Sequence, residues 1–486
     1  MKTKIFKNIS ILLSFGLIVK VLGLFHRIII TRVLTLDGLS LYTKMMPIAT
    51  LFSVIASFSL GPTITQMVAK NITKRPYSNR DLMIKGFKIA TITASIVSII
   101  HLITNYFITH YLLQTDELFK PFIYFIPLYY LQSYTGIFKG YFHGHNKMNT
   151  YAIGQLIEQV IRIILIYIFI TPMLKINLED GIIACVISLS IGELIQNIFL
   201  FLCVLKTTKI NNKTNIKADN KAIITTSINL TTSRLSNAIC NFLEPIIFTF
   251  AFLKTGMDKV GADEIYGIIY GYVIPLIFIT GFITTAIETA ILPELVTHHK
   301  NNNHAAFKNI MNKALLLSFI PASITTIIFY SYSKEMLMLF YNTENGAFYL
   351  KLLAIPSFLS YFDGVFISAL IAINEEKKLA KINLLTNFLY LFLIFILVQI
   401  PKINVMGLII SLIIYLTTSP IIYFFICKKR INYHLPKEGY ILLLIYIISI
   451  CSIAFFKNII ITIIIYFLLL LWLVINKTHS HHSLSS

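Results

Sequence analysis

The sequence predicts an all-α, polytopic membrane protein, and three observations carry that prediction. Apolar residues make up 56% of the 486-residue chain and charged residues only 13%. The mean hydropathy is +0.77. Apolar runs recur along the whole chain, and about fourteen of them are long enough to cross a hydrocarbon layer of roughly 30 Å as helices. No soluble core could bury this much apolar surface, so we expect the helices to lie in a bilayer.

The distribution of basic residues predicts the orientation. If the loops alternate sides, the inside loops collect about 27 Lys/Arg and the outside loops about 10, which is typical of cytoplasmic loops. Both termini are therefore predicted to be cytoplasmic. The same loops explain the formal charge of +20, which in a soluble domain would suggest nucleic acid. We expect no nucleic-acid partner.

The Asn/Lys-rich stretch 206–221 predicts a cytoplasmic linker between two six-helix lobes. We place the N-terminal lobe at 1–205, the C-terminal lobe at 222–430, the final two transmembrane helices at 431–476 and a cytoplasmic tail at 477–486. A weak internal repeat, in which segments two and eight each run between two prolines, supports two duplicated bundles around a central cavity.

Nothing in the sequence indicates a metal, a disulfide framework or nucleotide-driven chemistry. The five cysteines lie within or at the ends of apolar stretches without paired spacing, so we expect them to pack in the core. There is no Gly-rich phosphate loop. We therefore expect no cofactor and no catalytic residue. The basic, apolar start is interpreted as a retained first helix because it is too long for a signal peptide.

The first segment carries charge where a bilayer should exclude it. Gly16, Lys20, Gly23 and Arg27 follow at i, i+4, i+7 and i+11, so a helix stacks them on one face. Ionisable residues inside spanning helices are costly and usually face a bundle interior or a wet cavity. The stripe therefore predicts a site for an anionic group that enters the membrane. The alternative is that the two cations snorkel to the interfaces.

Helical spacing gives three further segments a polar face. These faces are Gln155, Glu158, Gln159 and Arg162 in segment five, Arg234, Asn237, Asn241 and Glu244 in segment seven, and Thr280, Thr284 and Glu288 in segment eight. Four wet faces predict one central cavity. We predict that it binds an anionic group through Lys20, Arg27, Arg234, Asn237 and Asn241. Its carboxylates or gate residues are predicted to be Glu158, Arg162, Glu244 and Glu288.

Several of these residues have a simpler interpretation. Glu158 and Arg162 are spaced i, i+4 and favour a structural pair within one helix. Glu193 and Asp363 are lone carboxylates at mid-depth, as compatible with protonated packing residues as with proton relays. His143 belongs to a group of histidines for which a solvated loop position is expected.

Five strings occur along the chain in a fixed order: GLIVKVLGLFHRI (Gly16 to Ile28), DGLSLYTKMMPI (Asp37 to Ile48), GIFKGYFHGHNKM (Gly136 to Met148), QLIEQVIR (Gln155 to Arg162) and GADEIYGIIYGYVIPLIF (Gly261 to Phe278). With these strings the chain resembles the stage V sporulation protein B and MurJ-type branch of the multidrug/oligosaccharidyl-lipid/polysaccharide exporter superfamily. The resemblance implies a fourteen-helix flippase with two lobes, a V-shaped cavity and a last helix pair that forms a groove for a polyprenyl tail.

The resemblance also implies a substrate, a polyprenyl-diphosphate-linked glycan, which is lipid II for the MurJ proteins. Lys20 and Arg27 match the basic positions of the first helix and would hold the diphosphate, and the stretches 140–148 and 155–162 would belong to the inner gate. The arginines that MurJ proteins carry in the second and eighth helices are missing. Sodium-coupled relatives carry acidic residues at positions where this chain has asparagines, namely Asn237, Asn383 and Asn387. Sodium coupling is therefore not expected.

We therefore predict a flippase, not an enzyme, that moves such a glycan from the inner to the outer leaflet of a bacterial cytoplasmic membrane by alternating access. Its expected partners are the lipid-linked glycan, membrane lipids and cell-wall synthesis enzymes. The first alternative is a multidrug or cation antiporter of the same superfamily, which would rely on carboxylates such as Glu244 and Glu288. The second is a polytopic glycosyltransferase or glycan ligase, which the outside loops of about fifteen residues or fewer disfavour.

Overall fold

The structure is a computed structural model that describes residues 2–74, 78–145, 147–208 and 219–456. Within these ranges the chain folds into helices and contains no strand, which confirms the predicted all-α class. The greater part of the predicted linker (209–218) lies outside the described residues. The predicted tail and the whole of the last predicted transmembrane helix fall within 457–486, which lies outside them as well.

Short connections join the helices. They are α1 (Lys2–Val33), α2 (Leu36–Ser57), α3 (Leu60–Lys74), α4 (Asn79–Tyr106), α5 (Phe119–Tyr124), α6 (Ile126–Gly144), α7 (Met148–Leu174), α8 (Leu178–Thr208), α9 (Asn220–Leu253), α10 (Lys259–Tyr266), α11 (Ile274–Ile277), α12 (Gly281–Lys300), α13 (His304–Ser331), α14 (Ser333–Tyr341), α15 (Ala347–Ser360), α16 (Asp363–Ala372), α17 (Glu376–Val398), α18 (Val405–Ile431) and α19 (Lys437–Phe456). A π-helical turn at Phe107–Leu112 extends α4, and another at Gly267–Val273 joins α10 to α11.

The apolar surface of these helices requires a lipid environment. Ten described segments are long and apolar enough to cross a membrane by length and composition. On α4, Ile96, Ile99 and Ile103 are 51%, 58% and 75% exposed. An apolar face of this kind, on helices that satisfy their own backbone hydrogen bonds, is stable in hydrocarbon and not in water. The chain is a multi-pass membrane protein, and the number fourteen stays a prediction.

The helices form two compact units. Unit 1 comprises the described parts of Met1–Tyr272 and Asn383–Ser411, and unit 2 those of Val273–Ile382 and Leu412–Ser486. The core of unit 2 packs α12, α13, α16 and α18 around fully buried side chains, such as Met311 and Val365. The lobe boundaries derived from the sequence stay a prediction.

Two apolar cores lie among the described residues of unit 1. One packs α2 against α4, α5, α6 and α8, with Met45 and Ile48 fully buried. The other packs α3 against α4 and α6, with Ile64 and Val68 fully buried. The helix α2 begins where the Thr35 hydroxyl accepts a hydrogen bond from the Gly38 N–H at 3.3 Å, which satisfies a donor that the first turn leaves free. The two cores fix α6 against both α2 and α3.

The helices α3 and α6 approach each other closely because of glycines. Gly136, Gly140 and Gly144 follow at i, i+4 and i+8 on α6, on the side that faces α3. A Cβ atom at Gly140 would lie 2.8 Å from the Cβ of Ile64, and one at Gly144 would lie 2.6 Å from the Cβ of Val68. Small residues at this spacing let membrane helices pack backbone to backbone.

A side chain at Gly140 is expected to force α3 and α6 apart. We predict that Gly140→Ala lowers the stability of the purified protein in lipid nanodiscs by about 1–3 kcal/mol, because the added methyl group overpacks the contact. Thermal unfolding followed by circular dichroism measures this loss. The matched control is Gly281→Ala in α12, where the nearest atom to a new Cβ is 4.0 Å away and no loss is expected. Equal stability of the two variants would contradict the packing argument.

Candidate functional site

Unit 1 encloses a polar cavity with a volume of about 750 Å³. Its walls come from α2, α3, α6, α7, α8 and α9. The titratable and amide side chains that line it are Gln66, Gln132, Lys139, His143, Tyr151, Arg162, Glu193 and Arg234. Two of the residues predicted from the sequence, Arg162 and Arg234, are among them. A cavity of this size and polarity inside a membrane unit is the candidate functional site.

Two cations of the cavity have no acidic counterpart. Neither Lys139 nor Arg234 has a carboxylate within 4.0 Å in the part of the chain that the structure describes. The Lys139 ammonium lies 5.4 Å from the centroid of the Tyr151 ring, an interaction that offsets only part of the cost of removing it from water. These two side chains therefore contribute positive charge to the cavity lining that no carboxylate within 4.0 Å neutralises among the described residues.

The third cation, Arg162, is neutralised within its own helix. Its Nη1 donates a hydrogen bond to Glu158 Oε1 at 2.6 Å, and Gln159 Nε2 donates to the other carboxylate oxygen at 2.9 Å. Glu158 is buried and does not line the cavity. The i, i+4 ion pair expected from the sequence thus forms. Arg162 lines the cavity, and its partner Glu158 does not.

Sequence reasoning missed Lys139 and assigned His143 to a solvated loop. Both lie in α6, and Gln132, Lys139 and His143 follow there at i, i+7 and i+11, on the face next to the glycines that contact α3. The His143 ring packs edge-on against Tyr151 with centroids 5.3 Å apart, so the loop assignment is wrong. The signal was present in the string GIFKGYFHG, where the glycine spacing marks a helix that continues through both residues.

Lys20 and Arg27 lie on α1, outside the lining of this cavity. The helix packs against α7 with Gly23 facing Gln159. Arg27 is exposed at the surface of the protein, and its Nη2 donates a hydrogen bond to the carbonyl oxygen of Tyr270 at 2.7 Å. Lys20 is also exposed. The role of both residues in headgroup binding stays a prediction.

The asparagines of α9 do not line the cavity either. Asn237 accepts a hydrogen bond at 2.7 Å from the amide of Asn387 on α17, within unit 1, and Asn241 is exposed. In unit 2, Glu288 is half-buried on α12 with its side chain against Gly364. The predicted binding and gating roles of these residues stay predictions.

Glu244 belongs to a second polar cluster of unit 1, which we call the tyrosine cluster: Glu244, Tyr266, Tyr270 and Tyr390. The buried carboxylate accepts a hydrogen bond from the Tyr266 hydroxyl at 3.3 Å. The Tyr266 and Tyr270 rings stack with centroids 4.4 Å apart, and the hydroxyls of Tyr270 and Tyr390 are hydrogen-bonded. The carbonyl that binds Arg27 belongs to Tyr270, so α1 is attached to this cluster.

A buried ion pair adjoins the tyrosine cluster. Lys44 on α2 is completely buried, is paired with Asp263 on α10, and donates a hydrogen bond to Thr249 Oγ1 at 2.8 Å. The same ammonium lies 5.7 Å from the centroid of the Tyr266 ring. Sequence reasoning missed the pair, although a lysine inside the second apolar segment is itself an indication of a buried partner.

These features define the class of the protein. A multi-pass helical protein that holds a polar, charged cavity within its membrane-embedded part belongs to the membrane transporters. Residues 5–299 match the family described as "Polysaccharide biosynthesis protein", which is more than half of the chain, and the chain belongs to this family.

Two relatives come from Bacillus subtilis (strain 168). The chain is 24% identical to stage V sporulation protein B over 414 residues, which cover 84% of this chain and 80% of the relative. It is 21% identical to sporulation protein YkvU over 395 residues, which cover 79% of this chain and 86% of that protein. The resemblance to the stage V sporulation protein B and MurJ-type branch is confirmed.

The fold is shared with solved transporters of the same superfamily. The lipid II flippase MurJ in an inward closed conformation aligns with a TM-score of 0.69 at 14% identity, covering 98% of this chain and 100% of that one. An inward-facing multidrug resistance MATE family transporter aligns with a TM-score of 0.67 at 14% identity, covering 87% and 98%. At these identities the likeness concerns the fold alone.

The Lys44–Asp263 pair gives a stability prediction. Lys44→Met leaves the Asp263 carboxylate without its partner, so we expect a loss of about 3–5 kcal/mol, measured by thermal unfolding in nanodiscs. The double variant Lys44→Met, Asp263→Leu removes both charges and is expected to recover most of the loss. The control is Lys85→Met, which breaks the partly exposed i, i+4 pair with Asp81 and costs about 0.5 kcal/mol or less. A single Lys44 variant as stable as this control would refute a stabilising role for the pair.

Proposed function

We propose that the protein is a flippase that carries the headgroup of a polyprenyl-diphosphate-linked cell-wall glycan, such as lipid II or a related polysaccharide unit, from the inner to the outer leaflet. The cationic cavity of unit 1 is the observation that carries the proposal. A lipid-linked glycan combines a hydrocarbon tail, which stays in the bilayer, with an anionic diphosphate, which needs a polar route across it. Membership of the polysaccharide biosynthesis family supports a glycan as the cargo.

The energetics of the diphosphate favour such a cavity. The group carries about two negative charges, and removing each charge from water costs several kcal/mol unless cations and hydrogen-bond donors replace the lost hydration. Lys139 and Arg234 supply cations that have no carboxylate within 4.0 Å among the described residues. The lining residues Gln66, Gln132 and Thr135 supply neutral polar groups. Transport makes and breaks no covalent bond, so these residues need only to bind the diphosphate and then release it.

We expect the hydrocarbon tail to bind to apolar surface of unit 2. An apolar cavity of about 250 Å³ lies between α13, α15, α16, α18 and α19 of that unit, lined by side chains such as Leu316, Phe424 and Leu442. This surface suits a polyprenyl chain, although the last predicted helix lies outside the described residues.

The proposed setting is the bacterial cytoplasmic membrane, with both termini in the cytoplasm because the basic loops cluster on that side. The inside-negative membrane potential favours outward movement of a negative headgroup and inward return of the empty cationic cavity. Alternating access then needs no bound nucleotide. We propose the lipid-linked glycan, the surrounding membrane lipids and cell-wall synthesis enzymes as its partners.

A second candidate function is a multidrug or cation antiporter. The observation that favours it is Glu244, a buried carboxylate in contact with tyrosine hydroxyls and with no cation within 4.0 Å among the described residues. An organic cation and a proton could exchange at such a group. Efflux of organic cations from proteoliposomes, abolished in Glu244→Gln and unaffected in Arg234→Ala, would establish this function in place of the flippase.

The flippase proposal is tested by complementation of a bacterial strain depleted of its lipid II flippase. We expect the wild-type protein to restore growth. Arg234→Ala, Lys20→Ala and Arg27→Ala are each expected to lower lipid II translocation by about tenfold or more. The reason is that each variant removes a cation that contributes about 1.4 kcal/mol or more to the binding free energy of the diphosphate. Lipid II in the outer leaflet, measured at matched membrane levels, provides the readout.

Lys300→Ala is the matched control, because this lysine is exposed at the end of α12 and the proposal gives it no role. If Arg234→Ala, Lys20→Ala and Arg27→Ala all rescue growth as well as the wild type does, the proposed cationic site is refuted. Failure of the wild type to rescue, together with no translocation of lipid II in proteoliposomes, would refute the flippase itself.

A further inference from the structure

The helix α9 is attached to α2 and α3 by two buried polar contacts of different chemistry. In the hydroxyl contact, the side chains of Thr63 on α3 and Ser227 on α9 are hydrogen-bonded at 3.0 Å. In the ionic contact, Lys44 on α2 donates a hydrogen bond to Thr249 on α9 at 2.8 Å and is paired with Asp263 on α10. Because residue 44 meets 249 and residue 63 meets 227, the α2–α3 segment and α9 run antiparallel.

The ionic contact lies at the end of unit 1 that is predicted to face outside. The N-terminus is predicted to be cytoplasmic, so the connection at 34–35, which follows the first crossing, lies outside. Lys44 is eight residues from the start of α2 at Leu36, about 12 Å along the helix. Thr249 is four residues from the end of α9 at Leu253. Both helices therefore place the ionic contact toward the outer side and the hydroxyl contact toward the cytoplasm.

The polar cavity begins on the cytoplasmic side of the ionic contact. The residues of the α2–α3 segment that line it, from Met46 to Gln66, all follow Lys44 in the chain. From α9, Arg234 lines the cavity, and it precedes Thr249 by fifteen residues, about 22 Å along the helix. Since the two segments are antiparallel, both orders place the ionic contact between the cavity and the outer side.

The ionic contact is closed to solvent at its cation. The side chain of Lys44 is 0% exposed and that of Asp263 is 15% exposed. Thr249 is buried, and so is Tyr266, whose ring centroid lies 5.7 Å from the ammonium. A transporter that works by alternating access needs such a closed region between its cavity and the outer side while the cavity is accessible from the cytoplasm.

An ion pair suits a closed region that has to open. Apolar side chains of the same size would pack there as well or better, because both charges must be removed from water. Opening an apolar contact, however, exposes hydrocarbon to water, whereas a separated ammonium and carboxylate are hydrated. The ion pair is therefore compatible with two states. In the closed state the charges pair with each other, and in the open state water reaches both of them.

We infer that the Lys44–Asp263 ion pair is the outer gate of the cavity in unit 1. The inference rests on alternating access, which is part of the proposed function, and not on the chemistry of the cargo. It goes beyond the stability that the pair provides, because single and double substitutions have opposite effects on a gate. One charge without its partner favours the open, hydrated state. Two apolar side chains favour the closed state.

Labelling of a cysteine in the cavity tests the outer gate. The reporter is Thr50→Cys, a lining position on α2, in the full chain with its five native cysteines replaced by alanine. The probe is sulfonatoethyl methanethiosulfonate, a membrane-impermeant thiol reagent, added to intact cells for the outer side and to inverted vesicles for the cytoplasmic side. We expect Lys44→Met and Asp263→Asn each to raise the outer labelling rate about tenfold, equivalent to about 1.4 kcal/mol, and to lower the cytoplasmic rate.

The double variant Lys44→Met, Asp263→Leu separates a gate from a purely structural contact. We expect it to label from outside no faster than the wild type and to translocate lipid II about tenfold more slowly, because its apolar contact resists opening. The controls are Thr63→Val, which removes the hydroxyl contact, and Lys120→Met, which breaks an exposed ion pair with Glu179. Neither control is expected to raise outer labelling.

Three results would overturn the outer gate. The first is outer labelling at the wild-type rate in both single variants. The second is an equal rise on both sides of the membrane, which indicates a general loosening of the fold. The third is a double variant that labels and translocates lipid II like the wild type. The double variant decides the question if the single variants fail to fold, since removal of both charges leaves no unpaired buried charge.

The outer gate and the flippase function can fail separately. If the single variants label as expected but the wild type does not translocate lipid II, the proposed function is wrong and the gate stands. If the wild type translocates lipid II while both single variants label at its rate, the gate is wrong and the function stands.

Discussion

The cost of holding ionised side chains in a hydrocarbon layer governs the organisation of unit 1. Its charged residues meet this cost in two ways. Lys44 with Asp263, and Arg162 with Glu158, are neutralised by a partner at hydrogen-bond distance. Lys139 instead borders a polar cavity and has no carboxylate within 4.0 Å among the described residues. The paired arrangement holds helices together. The unpaired arrangement leaves a positive charge available to an anion that enters the cavity.

The close contact of α3 and α6 connects the fold to this second arrangement. Because Gly140 and Gly144 let the two backbones approach, α6 is fixed against α3 over the same stretch that carries Lys139 and His143. Lys139 and His143 therefore lie on a rigid helix and not on a loop. A site built in this way keeps its geometry when no anion is bound, which reduces the cost of ordering on binding.

Much of the fold follows from local patterns in the sequence, and the candidate site follows only in part. The all-α class and the Glu158–Arg162 pair depend on composition and on a spacing of four residues, both visible without a structure. The Lys44–Asp263 pair joins residues 219 positions apart, which no periodicity reveals. Lys139 was overlooked because its significance depends on Arg234, a residue of another helix. Long-range packing decides which charges find partners, and sequence spacing does not contain it.

The neutralised state of Arg162 has a functional consequence for a transporter. A cargo must bind tightly enough to enter a cavity and weakly enough to leave it. A diphosphate that contacts Lys139 and Arg234 meets two cations without a carboxylate within 4.0 Å among the described residues, whereas one that contacts Arg162 competes with the Glu158 carboxylate, which lies 2.6 Å from the guanidinium. The contact with Arg162 is therefore expected to be the weaker one for the diphosphate. Release of the headgroup therefore does not have to overcome strong binding to Arg162, and the membrane potential and the change of access can set its direction.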